Sequence, residues 1–505
     1  IPGGVSVLDD TDSDIQVPND INSFLWGQYV VPTEGGVWQK SNWQNIRNIN
    51  YFMTHYQSVQ AAEADVNIYV AEMRFFRALE YFNKIQLLGD VPWLEVDLNV
   101  DSEELYGPKM KRNQVFQKII EDLDFAIQWL PEAGSEEANR LNKDIARHVK
   151  ARFCLNEGTH YKYHDELEYA SEAEKWLQMA ATESDKLITS GRYEIYNTGH
   201  PQEDYFNMYR IDDKSDLKEA VLYVDYKTNI REHNMAAAGR EAGCGFSKSF
   251  VESFLCSDGL PISLSNKYLG DETMRKETAN RDPRLKQLIL TNDFPTNVTD
   301  DLKDSTFVVN EDEFITQHCF TGYRPIKGFN PIYSQALYMK SSFDGIAYRY
   351  AETLLINAEA KAELNTITNA DLDRTVNQLR DRVGMPHLTV NVGFTDPKWP
   401  DWGYSLSPVL QEIRRERCIE LAGEGFRFND LKRWKAGKLL NNVLTYVGKR
   451  KPDGNLAIVY PNYTNPDLSY QAGKSRTWED KMYLYPIPTG ELQRNPQLLP
   501  QNPGW

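Results

Sequence analysis

Cysteine, long apolar runs and positive charge are all scarce in this chain. Five cysteines stand among 505 residues, at Cys154, Cys244, Cys256, Cys319 and Cys418, with no CxxC pair and no regular spacing, so no disulfide framework is indicated. Cys154 and Cys418 fall in helical patterns and read as small buried hydrophobes, while Cys244 and Cys256 could in principle pair. The odd count leaves at least one thiol free. No stretch approaches the roughly 18 consecutive apolar residues of a membrane-spanning helix, and the mean hydropathy of −0.58 agrees. Lys and Arg number 56 against 73 Asp and Glu, a net charge of −17, so the average field repels a phosphate backbone and nucleic acid is an unfavoured partner. GxSxG, GxxxxGK[ST], GxGxxG and HExxH are missing as well, which leaves the hydrolase-elbow, P-loop, dinucleotide and zinc-protease readings without support. No cofactor is expected.

What is there is helical pattern, charge at helical spacing, and aromatics. In the stretch Ile413 to Trp434, IRRERCIELAGEGFRFNDLKRW, Ile413, Cys418, Leu421 and Ala422 recur near helical spacing, and Arg417, Glu420, Glu424 and Arg427 form a charged stripe beside them. Gly425 allows a break, and Asn429-Asp430 could cap a following helix carrying Leu431, Trp434 and Leu439. Glu420 and Glu424 lie within a helical turn of each other, and glycoside hydrolysis needs two carboxylates about 5 to 9 Å apart. Each Glu, however, has an Arg at helical distance that would keep it ionised, whereas a general acid needs a raised pKa. A structural ion network is the preferred reading, with a glycoside hydrolase using Glu420 and Glu424 as its rival.

Helical periodicity begins at about Lys40 and returns at Asp65 to Leu88, Gln114 to Leu130, Asp144 to Asn156 and Glu172 to Ile188. The second of these should stop at Gly89, since Pro92 cannot continue it. Paired helices of this length suggest an all-helical repeat near the tetratricopeptide period, although the loops are too uneven for the period alone to prove it. From Gly191 to Gly345 the period fades into a loop-rich insertion with short strands such as VLYVDYK from Val221. Helices resume at Arg349 to Leu364 and Leu372 to Val383, and Leu388 to Pro408 is a loop holding Trp399 and Trp402.

The run Arg414 to Trp434 resembles the C-terminal signature of the SusD/RagB family, where an RxER, an EL-x-x-EG-x-R and a DL-x-RW occur in this order. The end of the chain, YPIPTGELQRNPQLLPQNPGW from Tyr485, is similar to that family's ending, and AExRFxRAxxYF from Ala71, LGDVPW from Leu88 and IxEDLDxAIxxLP from Ile119 extend the match along the chain. The resemblance implies an all-α scaffold of about four tetratricopeptide-like helix pairs with a large loop-rich insertion carrying short strands. On that reading residues 1–505 form a single body, with scaffold at 40–190 and 346–440, insertion at 191–345 and a C-terminal strap at 441–505. It further implies a non-enzymatic protein on the outer face of an outer membrane, held by a lipidated Cys that ends a lipoprotein signal. Such a protein captures oligosaccharides, or oligopeptides as in the RagB branch, and hands them to a SusC-like TonB-dependent transporter.

Aromatics make up 12% of the chain, with 11 Trp, and a sugar site is an aromatic shelf with polar rims. Trp26, Tyr29 and Trp38 lie in the irregular N-terminal region, and Phe320, Tyr323, Arg324, Phe329 and Tyr333 in the insertion. Trp38, Tyr323, Arg324, Phe329, Trp399 and Trp402 are the expected ligand residues, with Trp38 and Tyr323 as platforms and Arg324 as a hydroxyl donor. Trp43, Trp129, Trp176 and Trp434 sit in helical patterns and are expected in the core. His160 and His164, spaced i, i+4, lack a third metal ligand and are read as structural. The acidic run Asp9 to Asp14 lacks the glycine and closing Glu of an EF-hand loop and is read as a solvated segment. No metal site is expected.

Overall fold

Amphipathic periodicity becomes helix in the order the pattern dictates. The computed structural model describes residues 9–135, 139–241, 243–459 and 476–505. Its first helices are α1 Gln44–His55, α2 Glu63–Leu88, α3 Arg112–Trp129, α4 Lys143–Tyr163 and α5 Ala173–Ser190. Helix α2 ends at Gly89 with φ 73°, the left-handed backbone for which glycine is suited. Helix α4 starts under an Asn142 cap that accepts the Ile145 N–H, and it outruns the periodic stretch that ends at Asn156. Gly158 lets it do so: a Cβ there would stand 2.9 Å from Leu177, so only a bare α-carbon allows α5 this close.

Four later helices complete the scaffold: α6 Tyr350–Glu363, α7 Val376–Arg382, α8 Pro408–Glu420 and α9 Arg427–Arg433. Neighbours in sequence pack on each other from α1 to α5, α6 packs on α4, α5 and α8, and α9 returns to α4. Phe75, Tyr81, Phe116, Phe153, Trp176, Leu354 and Ile413 fill the shared core. This is the all-α, tetratricopeptide-like architecture expected. Helix α9 begins at Arg427 rather than behind an Asn429-Asp430 cap, because Asp430 is spent inside the helix on Arg417 and Arg433.

The strands among the described residues form four antiparallel pairs: β1 Gln16–Pro18 with β3 Cys244–Phe246, β2 Ala220–Val224 with β6 Gly345–Arg349, β4 Pro295–Val298 with β5 Ser305–Phe307, and β7 Val447–Arg450 with β8 Leu456–Ile458. A second core, with Phe246, Phe250, Leu285, Tyr323, Phe329 and Ile346, belongs mainly to residues 205–346 and leans on Ile419 and Ala422. A third joins the two ends of the chain through Phe24, Trp26, Trp402, Trp434, Tyr446 and Trp478. There Phe24 stacks on Tyr485 at 4.4 Å, and Asn502 donates to Leu88 O and Tyr485 O. Residues 460–475 of the expected strap lie outside the described residues.

The acidic run is not solvated: Asp10 and Asp14 are buried, because Asp10 accepts the Gly423 and Arg427 N–H groups and Asp14 takes the Arg427 guanidinium at 2.7 and 2.8 Å. Cys244 and Cys256 do not pair, and all five cysteines are free thiols. Cys418 is half-buried rather than sealed in the core. No helix among the described residues is long and apolar enough to cross a membrane.

Candidate functional site

The charged stripe decides whether acid chemistry is available. Strand β6 delivers Arg349 at its last position, under the turn that follows α8. Its guanidinium donates to Glu219 at 2.7 Å, to Glu420 at 2.8 Å and to Glu424 at 2.6 Å. Arg382 and Arg284 reach the other Glu420 oxygen at 2.6 and 3.1 Å, and Lys327 donates to Glu424 at 2.6 Å. Burial pushes the Glu420 carboxyl up, but Arg382, Arg349 and Arg284 outweigh it and hold the group well below the usual carboxylate range. Glu424 is lowered in the same way, with Arg349 and Lys327 overcoming desolvation. Neither residue can act as the protonated acid of a glycosidase pair, so the hydrolase reading loses its two carboxylates. The partners are not the arginines one helical turn away: Arg417 is spent on Asp430 and Arg427 on Asp14.

The two histidines also have a structural explanation. Their rings lie 4.1 Å apart, and His164 Nε2 donates to Lys432 O at 2.9 Å. Burial drives His160 well below the ordinary imidazole value. Among the described residues no group of His, Cys, Asp or Glu is arranged to hold a metal.

The expected ligand residues are not brought to one place. Tyr323 is fully buried, its O–H donating to both Glu277 oxygens at 2.8 Å, so it cannot serve as an open platform. A turn-like setting does position it, but inward, since Glu277 and Lys248 supply a charged partner for the phenol. Phe329 is likewise buried, against Phe294 and under the Arg324 guanidinium at 5.3 Å, and Arg324 Nε donates to Gly239 O. Trp38 is half-buried on the helical core with its ring 5.1 Å from that of Trp43. Trp402 is buried against Trp434 in the third core.

Trp399 and Trp402 share the wall of a cavity of about 540 Å³ between the late loop, α8, the helix Lys248–Ser253 and residues 438–445. Both indoles are fixed by their Nε1–H groups, Trp399 on Glu412 and Trp402 on Gln411, each at 2.7 Å. The outward-facing aromatics of the insertion are different ones. Tyr338 is 76% exposed and Tyr333 50%, with Leu337, Met339 and Ile230 beside them in sequence or across the His233–Ser341 bridge. Met339 sits in the left-handed region, φ 54°, and donates its N–H to Asn234 Oδ1 at 3.1 Å, which pins the turn that presents Tyr338. Sequence reading missed Tyr338. Its one signal is position, in a stretch without helical period between Gly328 and Ser341-Ser342.

The model of the SusD family matches residues 188–505. A SusD-like protein of Formosa agariphila is 25% identical over 456 residues, 88% of this chain and 75% of that protein. The crystal structure of a SusD-like protein from Bacteroides fragilis aligns at TM-score 0.74 and 24% identity, covering 99% of this chain and 93% of its own. A SusD-like carbohydrate binding protein from the same species aligns at TM-score 0.70 and 20% identity, covering 98% and 93%. At such identities the likeness establishes the fold.

Proposed function

The chain belongs to the SusD family, and from that premise we propose that it is a non-catalytic glycan-binding protein of the cell surface. Its ligand is an oligosaccharide, held on the insertion loop that carries Tyr333 and Tyr338. The observation that carries this reading is the exposure of those two rings, 50% and 76%, where Tyr323 of the same insertion is sealed. Pyranose rings offer flat CH faces to such platforms, and Glu232, Asn234 and Lys340 along the paired segments supply hydroxyl partners. A relative of the same fold is a carbohydrate binding protein, which agrees with this ligand class. Ile230, Leu337 and Met339, exposed beside the tyrosines, favour oligopeptide capture as the second reading. Affinity gel electrophoresis against a polysaccharide panel, with casein peptides in parallel, separates the two: retardation by one glycan that is weakened in Tyr338→Ala supports the first.

Delivery to a SusC-like TonB-dependent transporter, and anchoring by a lipid on the outer face of the outer membrane, complete the proposal. A lid on a transporter has to cover a large surface, of the order of 2,000 Å² or more. Co-expression and affinity purification from outer membranes should recover a transporter-sized partner. Its repeated absence would count against this part of the reading.

A further inference from the structure

Beyond the surface loop, we infer a second saccharide site: the Trp399 cavity takes a single pyranose unit, such as the end residue of a chain. The cavity shares no lining residue with the tyrosine loop, so it stands or falls separately. Its volume of about 540 Å³ is in the range of small-ligand pockets. Trp399 is half-buried, so part of its face remains accessible, and the Glu412 bond fixes the plane of the ring before any ligand arrives.

The polar wall is mostly neutralised within itself. Lys398 pairs with Glu252 at 2.9 Å, Arg415 with Asp396 at 2.6 Å and Arg427 with Asp14 at 2.7 Å. Two charged lining groups are left over. Among the described residues Lys438 is exposed and makes no ion pair, and the Asp401 carboxylate accepts the Gly403 N–H. Arg414 is spent behind them: buried between Trp402 at 4.7 Å and Trp434 at 4.3 Å, it donates to Tyr404 Oη at 3.1 Å and to Glu363 at 3.0 Å. One acceptor and one donor beside a fixed indole suit a neutral ring of hydroxyls. They do not suit an anion, since Asp401 offsets Lys438.

Saturation-transfer NMR on the purified protein tests this, with methyl glucoside, methyl galactoside, methyl xyloside, glucuronate and benzoate as probes at millimolar concentration. At least one neutral glycoside should give saturation at its ring CH protons, lost in Trp399→Ala and weakened about tenfold in Asp401→Ala, an exposed change that leaves the fold alone. Tyr338→Ala should not alter it. Silence from all three glycosides overturns the inference, as does a signal unchanged in Trp399→Ala and Asp401→Ala, or a response strongest for glucuronate or benzoate. A signal lost only in Tyr338→Ala assigns binding to the surface loop and sinks the cavity while sparing the capture reading. Loss of polysaccharide retardation with the cavity signal intact does the reverse.

Discussion

The charged knot under α8 and the tyrosine loop of the insertion differ in what surrounds a polar side chain. Glu420 has three arginines from three other segments and no exposure, whereas Tyr338 has solvent over most of its ring. The knot is fixed by charge in a medium that screens it little, so each member holds the others in place. The loop is fixed by the His233–Ser341 bridge, the Asn234 side chain on the Met339 N–H and a Lys340–Glu232 pair at 3.4 Å, and leaves the Tyr338 ring uncommitted. A region that spends its polar groups on itself builds a scaffold, and a region that leaves them unspent can bind.

The largest effect is expected where the knot is cut. Arg349→Ala strands Glu219, Glu420 and Glu424 without their shared cation, and removing one partner from a buried pair costs about 3 to 5 kcal/mol. Urea unfolding should show the loss as a lowered midpoint with the slope unchanged. A loss below about 1 kcal/mol would erase the contrast with the loop.

Acid should sharpen the same contrast. The folded-state pKa values of Glu420, Glu424 and Asp430 lie below the ordinary carboxylate values, since their cations overcome desolvation. The unfolded chain therefore binds more protons in acid. Stability from these groups is fully present above about pH 5 and is lost as pH falls toward the folded values. A drop of several kcal/mol between pH 5 and pH 3, by denaturant midpoint, is expected, and Glu424→Gln should make the fall shallower. Asp10 runs the other way: burial raises it to about 7, against the two backbone N–H groups, so its share of stability fades as pH rises through neutrality.

Much of the scaffold was legible because helical period and glycine stops are local. Gly89 ended α2 where φ turns positive, and Trp176 and Trp434 are core as their spacing required, whereas Trp43 and Trp129, also expected there, are half-buried at its edge. The charged residues were legible in kind and not in partner. Arg417, Glu420 and Arg427 are paired and buried and Glu424 is paired and half-buried, yet the partners of Glu420 come from positions 284, 349 and 382, and no helical spacing encodes those distances. The loops were the least legible. Composition places aromatics in the insertion, but whether a ring faces in or out depends on a partner such as Glu277, met only in three dimensions. Trp399 and Trp402 converge because Glu412 and Gln411 on α8 hold them, which a reading of PKWPDW alone does not disclose.

Tyr323 and Tyr338 carry the comparison to the level of one side chain. Tyr323→Phe keeps the ring and removes an O–H that two buried Glu277 oxygens accept, a change worth about 1 to 3 kcal/mol of stability. Glycan affinity should not move. The opposite pattern at Tyr323 would mean that the insertion opens when ligand binds.

The smallest effect on stability belongs to Tyr338. Truncating a ring that is 76% exposed and packs on little should change unfolding free energy by less than about 0.5 kcal/mol. The same truncation should lower glycan affinity by about 1 to 2 kcal/mol, roughly fivefold to thirtyfold, if the ring is a stacking platform near the centre of the site. Calorimetry with the glycan identified by gel retardation reads the second number and urea unfolding the first. Trp38→Ala is the matched control. Its ring is half-buried on Trp43, so truncation should reverse the order, costing stability before affinity. Were Trp38→Ala to abolish binding at unchanged stability while Tyr338→Ala bound normally, the ligand would sit on the N-terminal face, and the insertion loop would be an exposed turn without a ligand.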